Sequence, residues 1–226
     1  MGSPPHLMVL MNEQSFIKGG IVAGRPRGVE DAVILRGAAD VIGRVGPARL
    51  TLAAVADEVG LVPGTLMQRF GSKHGLLVAL ARQSAHEADA MYERLRQRHP
   101  SPLAALMALA VDSMAPMATP ETFANHLAFL CMDLTDPQLH EHALAIHNAQ
   151  GRAIRTLLTE AVSKGELRRE TDTDALTGSV QANIAGTGLT WALDRQGQLP
   201  QRLRREIQAL LSSHTPSSNG VAMEES

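Results

Sequence analysis

The chain of 226 residues is poor in aromatic residues and has almost no cysteine. Phe, Tyr and Trp together make up 3% of it, and Cys131 is the one cysteine. A single thiol cannot form an internal disulfide or a cysteine-based metal cluster, so we predict a cytoplasmic protein. No apolar run approaches the roughly 18 residues that span a bilayer. The apolar patch at 7–11 lacks the preceding basic flank of a signal peptide. We therefore expect no membrane partner.

Unbranched side chains dominate what is present, and they favour helix over strand because they lose little rotamer freedom in a helix. Prolines fall between the apolar helical patterns rather than inside them. No stretch alternates with the period of a strand. The pattern therefore predicts an all-α chain with helices near 34–43, 52–59, 63–69, 73–98, 102–115, 120–133, 137–164, 173–194 and 200–213.

The charge is unevenly distributed, although the net charge is only −2. Residues 1–98 contain 12 Lys/Arg and 9 Asp/Glu, whereas residues 99–226 contain 9 and 14. A basic N-terminal part on an acidic remainder is typical of a DNA-binding head on a body that does not contact phosphate. We predict four segments: a flexible basic arm at 1–28, a DNA-binding domain at 29–75, a ligand-binding and dimerisation domain at 76–214, and a flexible tail at 215–226.

The segment from Thr51 to Lys73 has the pattern of a helix-turn-helix motif. Thr51 is a favourable N-cap for the first helix, Gly60 ends that helix, and Pro63 is a favoured first residue of the second. Motifs of this type place the second helix in the major groove of DNA. The pattern predicts an N-terminal three-helix head, with the polar side chains of Thr65, Gln68 and Arg69 on the outer face of the recognition helix.

Two of these side chains match base edges in the major groove. Gln68 can pair with adenine and Arg69 with guanine. Thr51 and Lys73 lie at helix starts, where a hydroxyl and an ammonium can hold phosphates. Alternatively, Gln68 and Arg69 only solvate a helix that no longer binds DNA.

The segment Gly24–Gly28 contains Arg25 and Arg27 around a proline. Such a segment is extended and narrow, so its arginines could enter the minor groove of A·T-rich DNA. A solvated basic tail that attracts phosphates without specificity is the alternative interpretation.

The head resembles the N-terminal domain of TetR-family transcriptional regulators over roughly residues 30–80. The matching positions are Thr51, Val55-Ala56, Gly60, Gly64-Thr65-Leu66, Phe70, Ser72-Lys73 and Leu76. A looser similarity, at Gly165–Arg168, Asp172–Asp174 and Leu189–Leu193, concerns the C-terminal ligand and dimer domain of that family. The resemblance implies a DNA-binding regulator with an all-helical fold.

Three positions depart from the family pattern. Val62 replaces the usual serine cap of the recognition helix. Met67 occupies the position of a tyrosine that contacts a phosphate, so this DNA-binding position lacks the usual hydrogen bond. Arg69 replaces an aromatic residue and adds a charge at the DNA face.

In the body, Leu103–Met114 and Phe123–Leu134 carry apolar stripes, which we expect to be core. Polar and aromatic side chains inside apolar helices are typical of a pocket for a small hydrophobic ligand with one or two polar groups. We predict that the pocket is formed by Met107, Met114, Phe123, His126, Phe129, Leu130, Asn183 and Trp191.

No spacing in the chain indicates a catalytic or metal site. His140, His142 and His147 lack the spacing of a zinc motif and are expected to be exposed histidines. There is no nucleophile elbow and no phosphate loop. We predict no enzyme activity, no metal and no cofactor.

The last two long helical patterns each carry an apolar face, Ile146–Ala161 and Leu176–Trp191. By the resemblance, these helices and their two-fold mates form a four-helix dimer interface. One short recognition helix reads few base pairs, so a homodimer on a palindromic operator is expected.

The sequence thus predicts a repressor that a small hydrophobic ligand releases from double-stranded DNA. A helical binding protein or enzyme with a vestigial head, and a protein-interaction adaptor, are the alternatives.

Overall fold

The computed structural model describes residues 29–216, and all regular secondary structure in this part of the chain is helical. The predictions for residues 1–28 and 217–226 lie outside the described residues. The all-α prediction is confirmed, with boundaries close to those expected. Between residues 29 and 216, no helix is both long and apolar enough to cross a membrane. The helices are α1 Asp31–Val45, α2 Leu52–Glu58, α3 Pro63–Phe70, α4 Lys73–Gln97, α5 Pro102–Asp112, α6 Pro120–Asp133, α7 Pro137–Ser163, α8 Thr173–Asp194 and α9 Leu199–Ser212, with a short 3-10 helix at Ala115–Met117.

Local chemistry sets the helix starts in the head. The backbone N–H of Ala54 donates to Thr51 Oγ1 at 3.0 Å, and that of Gly75 donates to Ser72 Oγ at 3.0 Å. Val62 precedes α3 without a side-chain cap, and Pro63 occupies the first helical position, as the sequence predicts. These caps satisfy N–H groups that a helix start otherwise leaves unpaired.

The core of the head extends beyond the predicted boundary at residue 75. It combines α1, α2 and α3 with the first turns of α4 and with Leu139 from α7, which is fully buried there. Two glycines allow this packing to be tight. A Cβ on Gly37 would come within 2.5 Å of Val59, and a Cβ on Gly75 would overlap the carbonyl oxygen of Phe70.

The body is built around α4 and α7, which pack along each other, with α5, α6, α8 and α9 around them. The apolar faces predicted on α7 and α8 are mainly buried inside this single protomer: Ile154, Leu157 and Ala161 from α7 pack with Val180, Ile184 and Trp191 from α8. These faces therefore cannot form a dimer interface. The opposite face of α8 is exposed and carries small and apolar residues, namely Ala175, Gly178, Ser179, Ala182, Ala185, Gly186, Leu189 and Leu193.

The stripe predicted as core on α6 is only partly buried. Phe123 is buried and its ring lies where a Cβ on Gly188 would be, so Gly188 permits close packing of α6 and α8. Leu127, Leu130 and Leu134, about one, two and three turns further on, are exposed. The prediction failed because spacing shows which residues share a face but not whether another element covers that face.

Helix α6 also joins the body to the head. Asn125 Nδ2 donates to the carbonyl oxygen of Gly43 at 2.8 Å, at the end of α1. The ring of His126 lies beside the same glycine, where a Cβ would be 3.2 Å from His126 Cε1. A movement of α6 would therefore act directly on α1.

Candidate nucleic-acid interface and effector site

The recognition helix α3 presents a short exposed face. Leu66 is fully buried in the core of the head, so residues on the other side of the helix point outward. Gly64 and Gln68 lie on that outward side and are exposed, and Met67 is 53% exposed beside them. Thr65 is half-buried at the edge of this face. The space above Gly64 is open, since a Cβ there would meet nothing within 4 Å. This face of α3 can therefore approach the base edges in a DNA groove closely.

Arg69 is not directed along this outward face. It follows Leu66 by three residues, which places it within about 60° of the buried side of the helix. Its Nη1 donates to the carbonyl oxygen of Val29 and lies 3.0 Å from Asp31 Oδ1. The predicted contact of Arg69 with guanine therefore requires that the guanidinium leave these partners.

The two predicted phosphate ligands lie at helix starts, as expected. The Thr51 side chain is exposed and caps α2. Lys73 Nζ donates to the carbonyl oxygen of Ala48 at 3.2 Å, which holds the ammonium beside the α1–α2 connection. Neither contact prevents an approach of phosphate, because each group has further hydrogen-bonding capacity. Arg25 and Arg27 lie outside the described residues.

The predicted effector residues divide into two groups. Phe123 and Trp191 are buried in the core of the body, and Met107 and Met114 pack against that core. Asn183 is half-buried on α8, with its side-chain oxygen 3.4 Å from Thr187 Oγ1. The structure thus places four of these five residues in or against the core of the body.

The other predicted effector residues lie elsewhere on α6. His126 hydrogen-bonds through Nδ1 to the carbonyl oxygen of Thr122 at 2.8 Å and faces α1. Phe129 packs against the core of the head, and Leu130 is exposed. A pocket that uses all eight predicted residues would have to extend from the body core to the head.

Two methionines that the prediction omitted belong to the same region. Met91 of α4 and Met117 of the 3-10 helix pack against the body core, as Met107 and Met114 do. Methionine side chains are flexible and adapt to irregular shapes. The spacing of α4 gave a signal for Met91, since it lies three residues after the buried Ala88 and four before the buried Leu95. Met117 lies in a proline-interrupted turn without periodicity.

Surface depressions occur away from these residues. One of about 360 Å³ lies between α8 and α9 and is lined by Asp194, Gln196, Gly197, Gln198, Gln201, Arg202 and Arg205. Its lining is polar and includes an Asp194–Arg202 ion pair of 2.6 Å. It contains none of the predicted effector residues.

The three histidines that raise the question of a metal are dispersed along α7. His140 and His147 are exposed, and His142 is half-buried. His147 Nδ1 lies 3.3 Å from Gln181 Nε2 on α8. Within residues 29–216, no three His, Cys, Asp or Glu side chains form a group that could hold a metal ion.

A buried carboxyl group lies where α6 meets α7. Burial raises the pKa of Asp133 to about 6, and the negative charge of Asp136 adds to this effect. Asp133 Oδ1 is buried and accepts no hydrogen bond from the described residues. Asp136 caps α7 and pairs with His74 of α4, with 3.5 Å between Oδ2 and His74 Nδ1. A change in the charge of Asp133 or Asp136 would therefore affect the contact between α4 and α7, where the head meets the body.

Family models match both parts of this architecture. The model for bacterial regulatory proteins of the tetR family matches residues 34–80, and the model for a tetracyclin repressor-like C-terminal domain matches residues 126–207. Together they span more than half of the chain, in the expected order. The chain belongs to the TetR family of transcriptional regulators. No curated protein matches its sequence significantly.

Solved structures of regulators share the fold. FadR from Bacillus subtilis, in complex with stearoyl-CoA, is 18% identical with a TM-score of 0.61, over 81% of this chain and 98% of FadR. A transcriptional regulator from Saccharomonospora viridis, in complex with choline, is 18% identical with a TM-score of 0.66, over 80% and 95%. The ketosteroid transcriptional regulator KstR2 of Mycobacterium tuberculosis is 18% identical with a TM-score of 0.56, over 84% and 97%.

Proposed function

We propose that the chain is a homodimeric repressor that binds a palindromic operator and leaves it when a small hydrophobic ligand enters the body. The observation that carries the proposal is the exposed face of α3, where Gln68 stands beside the open space above Gly64. Thr65 and Gln68 read base edges, and Thr51 and Lys73 hold phosphates. The protein acts by binding rather than by catalysis.

The repressor role is supported by the family description of the C-terminal half as tetracyclin repressor-like. DNA binding is tested with a duplex that the purified chain enriches from a random-sequence pool. We expect retardation of that duplex in a gel and loss of binding as salt rises, because phosphate contacts release counterions. Gln68→Ala should change the preference at one base position, while Arg204→Ala on the exposed surface of α9 should not. If no duplex is enriched above the unselected pool, the proposal fails.

We place the dimer interface on the exposed face of α8. Leu189 and Leu193 are 45% and 76% exposed there, among small residues that allow two helices to approach closely. Leu189→Arg should convert the dimer to a monomer in analytical ultracentrifugation and abolish tight operator binding, because each protomer reads only half of a palindrome. Leu134→Arg, at the leucine that directly follows α6 and is 62% exposed, is the matched control and should leave the dimer intact. A dimer that survives Leu189→Arg would place the interface elsewhere.

We place the effector in the methionine-lined region of the body. FadR is solved with stearoyl-CoA and KstR2 is named for ketosteroids, which supports an apolar ligand, while choline on the Saccharomonospora protein shows that cations also occupy this fold. The ligand would shift α4 like a lever and change the spacing of the two heads. This requires that it bind the non-DNA geometry more tightly than the DNA-bound one.

The chain has one tryptophan, so its fluorescence can test whether a ligand enters the methionine-lined region of the body. Trp191 is buried in the body core, and its Nε1 donates to the carbonyl oxygen of Gly197 at 3.1 Å. Titration with stearoyl-CoA, with a steroid ketone and with choline should change its fluorescence only for the ligand class that enters this core. The same compound should raise the melting temperature and release the enriched duplex. A compound that releases DNA without any effect on Trp191 would place the effector elsewhere.

A further inference from the structure

Arg94 of α4 carries a positive charge that is buried without a partner in its neighbourhood. Its Nε and Nη2 atoms are buried, and neither forms a hydrogen bond with a described residue. Arginine keeps its charge in proteins, so the protein cannot lower the cost of burial by releasing a proton. Buried charges are normally paired, because their removal from water is costly. This guanidinium is therefore suited to an anion that comes from outside the fold.

Other arginines of the body show how the fold normally treats such a charge. Arg96, two residues further along α4, pairs with Glu93 at 2.9 Å. Arg202 of α9 also has a buried Nε without a partner, but its Nη1 lies 2.6 Å from Asp194. Arg94 forms no such pair with any carboxylate between residues 29 and 216. It therefore differs from both of these arginines, which have a carboxylate of the chain itself.

Arg94 lies next to the methionine-lined region of the body. It follows Met91 by three residues, and residues at this spacing are neighbours on a helix surface. Helix α5 packs against α4 and runs back along it, because only residues 98–101 connect the two helices. Met91 of α4 and Met107 of α5 both pack against the body core. The buried charge is therefore at the edge of the region where we place the effector.

We propose, resting on the effector region of the proposed function, that Arg94 binds the anionic head group of the effector, while the apolar part of the effector lies among the methionines. The effector is thus an amphipathic anion with a carboxylate or phosphate head. The planar fork of arginine binds such oxygens through two parallel hydrogen bonds. Methionine side chains can move to admit an apolar body of irregular shape. Arg98, one turn further along, is exposed and adds positive charge on the same side of α4.

The test compares four ligands that share one ten-carbon chain and differ in the head group. Isothermal titration calorimetry of the full chain is performed with decanoate, decyl phosphate, decanol and decyltrimethylammonium, each below its micelle concentration. At least one of the two anions should bind about 10- to 100-fold more tightly than decanol, as a hydrogen bond to a charged group allows. The tighter of the two identifies the head group as carboxylate or phosphate. Decyltrimethylammonium should bind most weakly, because Arg94 repels it.

Substitution of Arg94 should remove this preference for an anion. Arg94→Met keeps a long unbranched side chain without the charge, and it should weaken binding of the preferred anion by about 10- to 100-fold. Its affinity for decanol should not change. Arg94→Lys should retain part of the preference, because it keeps the charge but not the planar fork. Arg82→Met is the matched control at an exposed arginine of the same helix, and it should bind all four ligands as the natural chain does.

Thermal melting without ligand separates binding from a purely structural role of Arg94. Arg94→Met should melt at or above the temperature of the natural chain, because it removes a buried charge that has no partner among the described residues. A lower melting temperature together with an unchanged preference for the anion would assign Arg94 to packing and overturn the inference.

Calorimetry and DNA binding distinguish a failure of this inference from a failure of the proposed function. If the chain enriches no duplex but binds an anion through Arg94, the proposed repressor function fails and the anion site stands. If the chain binds its duplex but neither anion binds more tightly than decanol, or Arg94→Met keeps the preference, the inference is wrong. If both are correct, the preferred anion should release the duplex, and Arg94→Met should require about 10- to 100-fold more of it.

Discussion

The head and the body of this protein achieve their packing in different ways. In the head, short helices meet where glycines permit contact with neighbouring groups: Gly37 lies against Val59 and Gly75 against the backbone of Phe70. In the body, four half-buried methionines surround the core, and Leu127 and Leu130 of α6 are exposed. A backbone contact has no room to adapt, while methionine side chains can rearrange. The difference suits a head that must keep one shape and a body that must respond to a ligand.

Gly75→Ala should give the largest effect, because it places a Cβ on the Phe70 carbonyl oxygen. We expect the free energy of unfolding to fall by about 3 kcal/mol and DNA binding to be lost with the head. Chemical denaturation measures the first and gel retardation the second. Gly64→Ala is the control for the denaturation measurement: its Cβ would meet nothing within 4 Å, so alanine should be neutral or stabilise α3 by up to about 1 kcal/mol. If both substitutions had the same effect on stability, the loss at Gly75 could not be attributed to its contact with the Phe70 carbonyl oxygen.

Asp133→Asn tests the junction between the two regions. The pKa of Asp133 is raised to about 6, whereas an unfolded aspartate titrates near about 3.9. The folded protein therefore binds this proton more tightly, and stability from this group falls as pH rises from about 4 to about 6. Asparagine should raise the free energy of unfolding at neutral pH by up to about 3 kcal/mol and remove this fall.

Denaturation curves at several pH values measure the effect. Glu141→Gln, at an exposed carboxylate of α7, is the control and should leave the pH profile unchanged. If the free energy of unfolding of Asp133→Asn varied with pH as it does in the natural chain, Asp133 would be ionised in the folded protein without loss of stability.

Gly188→Ala should cost less than Gly75→Ala, because the obstacle is the ring of Phe123 rather than a backbone atom. We expect a loss of about 1–2 kcal/mol, and recovery of part of it when Phe123→Leu is added. Thermal and chemical denaturation of the single and double variants measure this coupling. No recovery in the double variant would indicate that the body around α6 and α8 is as rigid as the head.

Lys73→Ala should have the smallest effect on the stability of the protein, and it should lower the affinity for all DNA sequences equally. Its ammonium contacts only the Ala48 carbonyl among the described residues, so stability should change little. Binding should weaken alike for all sequences, and the slope of log affinity against log salt should fall by about one. Lys164→Ala, an exposed lysine of the body, is the control. A sequence-dependent loss would instead indicate that Lys73 contacts a base.

Local signals in the sequence predicted the helices well. Thr51, Ser72 and Pro63 mark helix starts within a residue or two of their observed positions, because caps act over a few bonds. The family resemblance placed the recognition helix in the correct register. Such signals depend only on neighbours in the chain.

The failures concern contacts between distant residues. The apolar faces of α7 and α8 turned out to pack in one protomer, and Leu127, Leu130 and Leu134 lack the cover that their spacing implied. The partner of Arg69 is likewise Asp31, far away in the chain. Periodicity identifies a face, but only the assembled fold shows what lies against it.

The burial of Leu139 in the core of the head has a consequence for exchanging parts between relatives. A chimera cut at residue 75 would transfer α1–α3 without the α4 residues and without the α7 leucine that complete their packing. The foreign head would meet an unmatched surface on both helices. A unit that can be transplanted is therefore discontinuous in sequence: it includes residues 29–81, the first turn of α7 and the α6 residues that contact α1 and the head core. Regulators with new specificities should be assembled along that boundary.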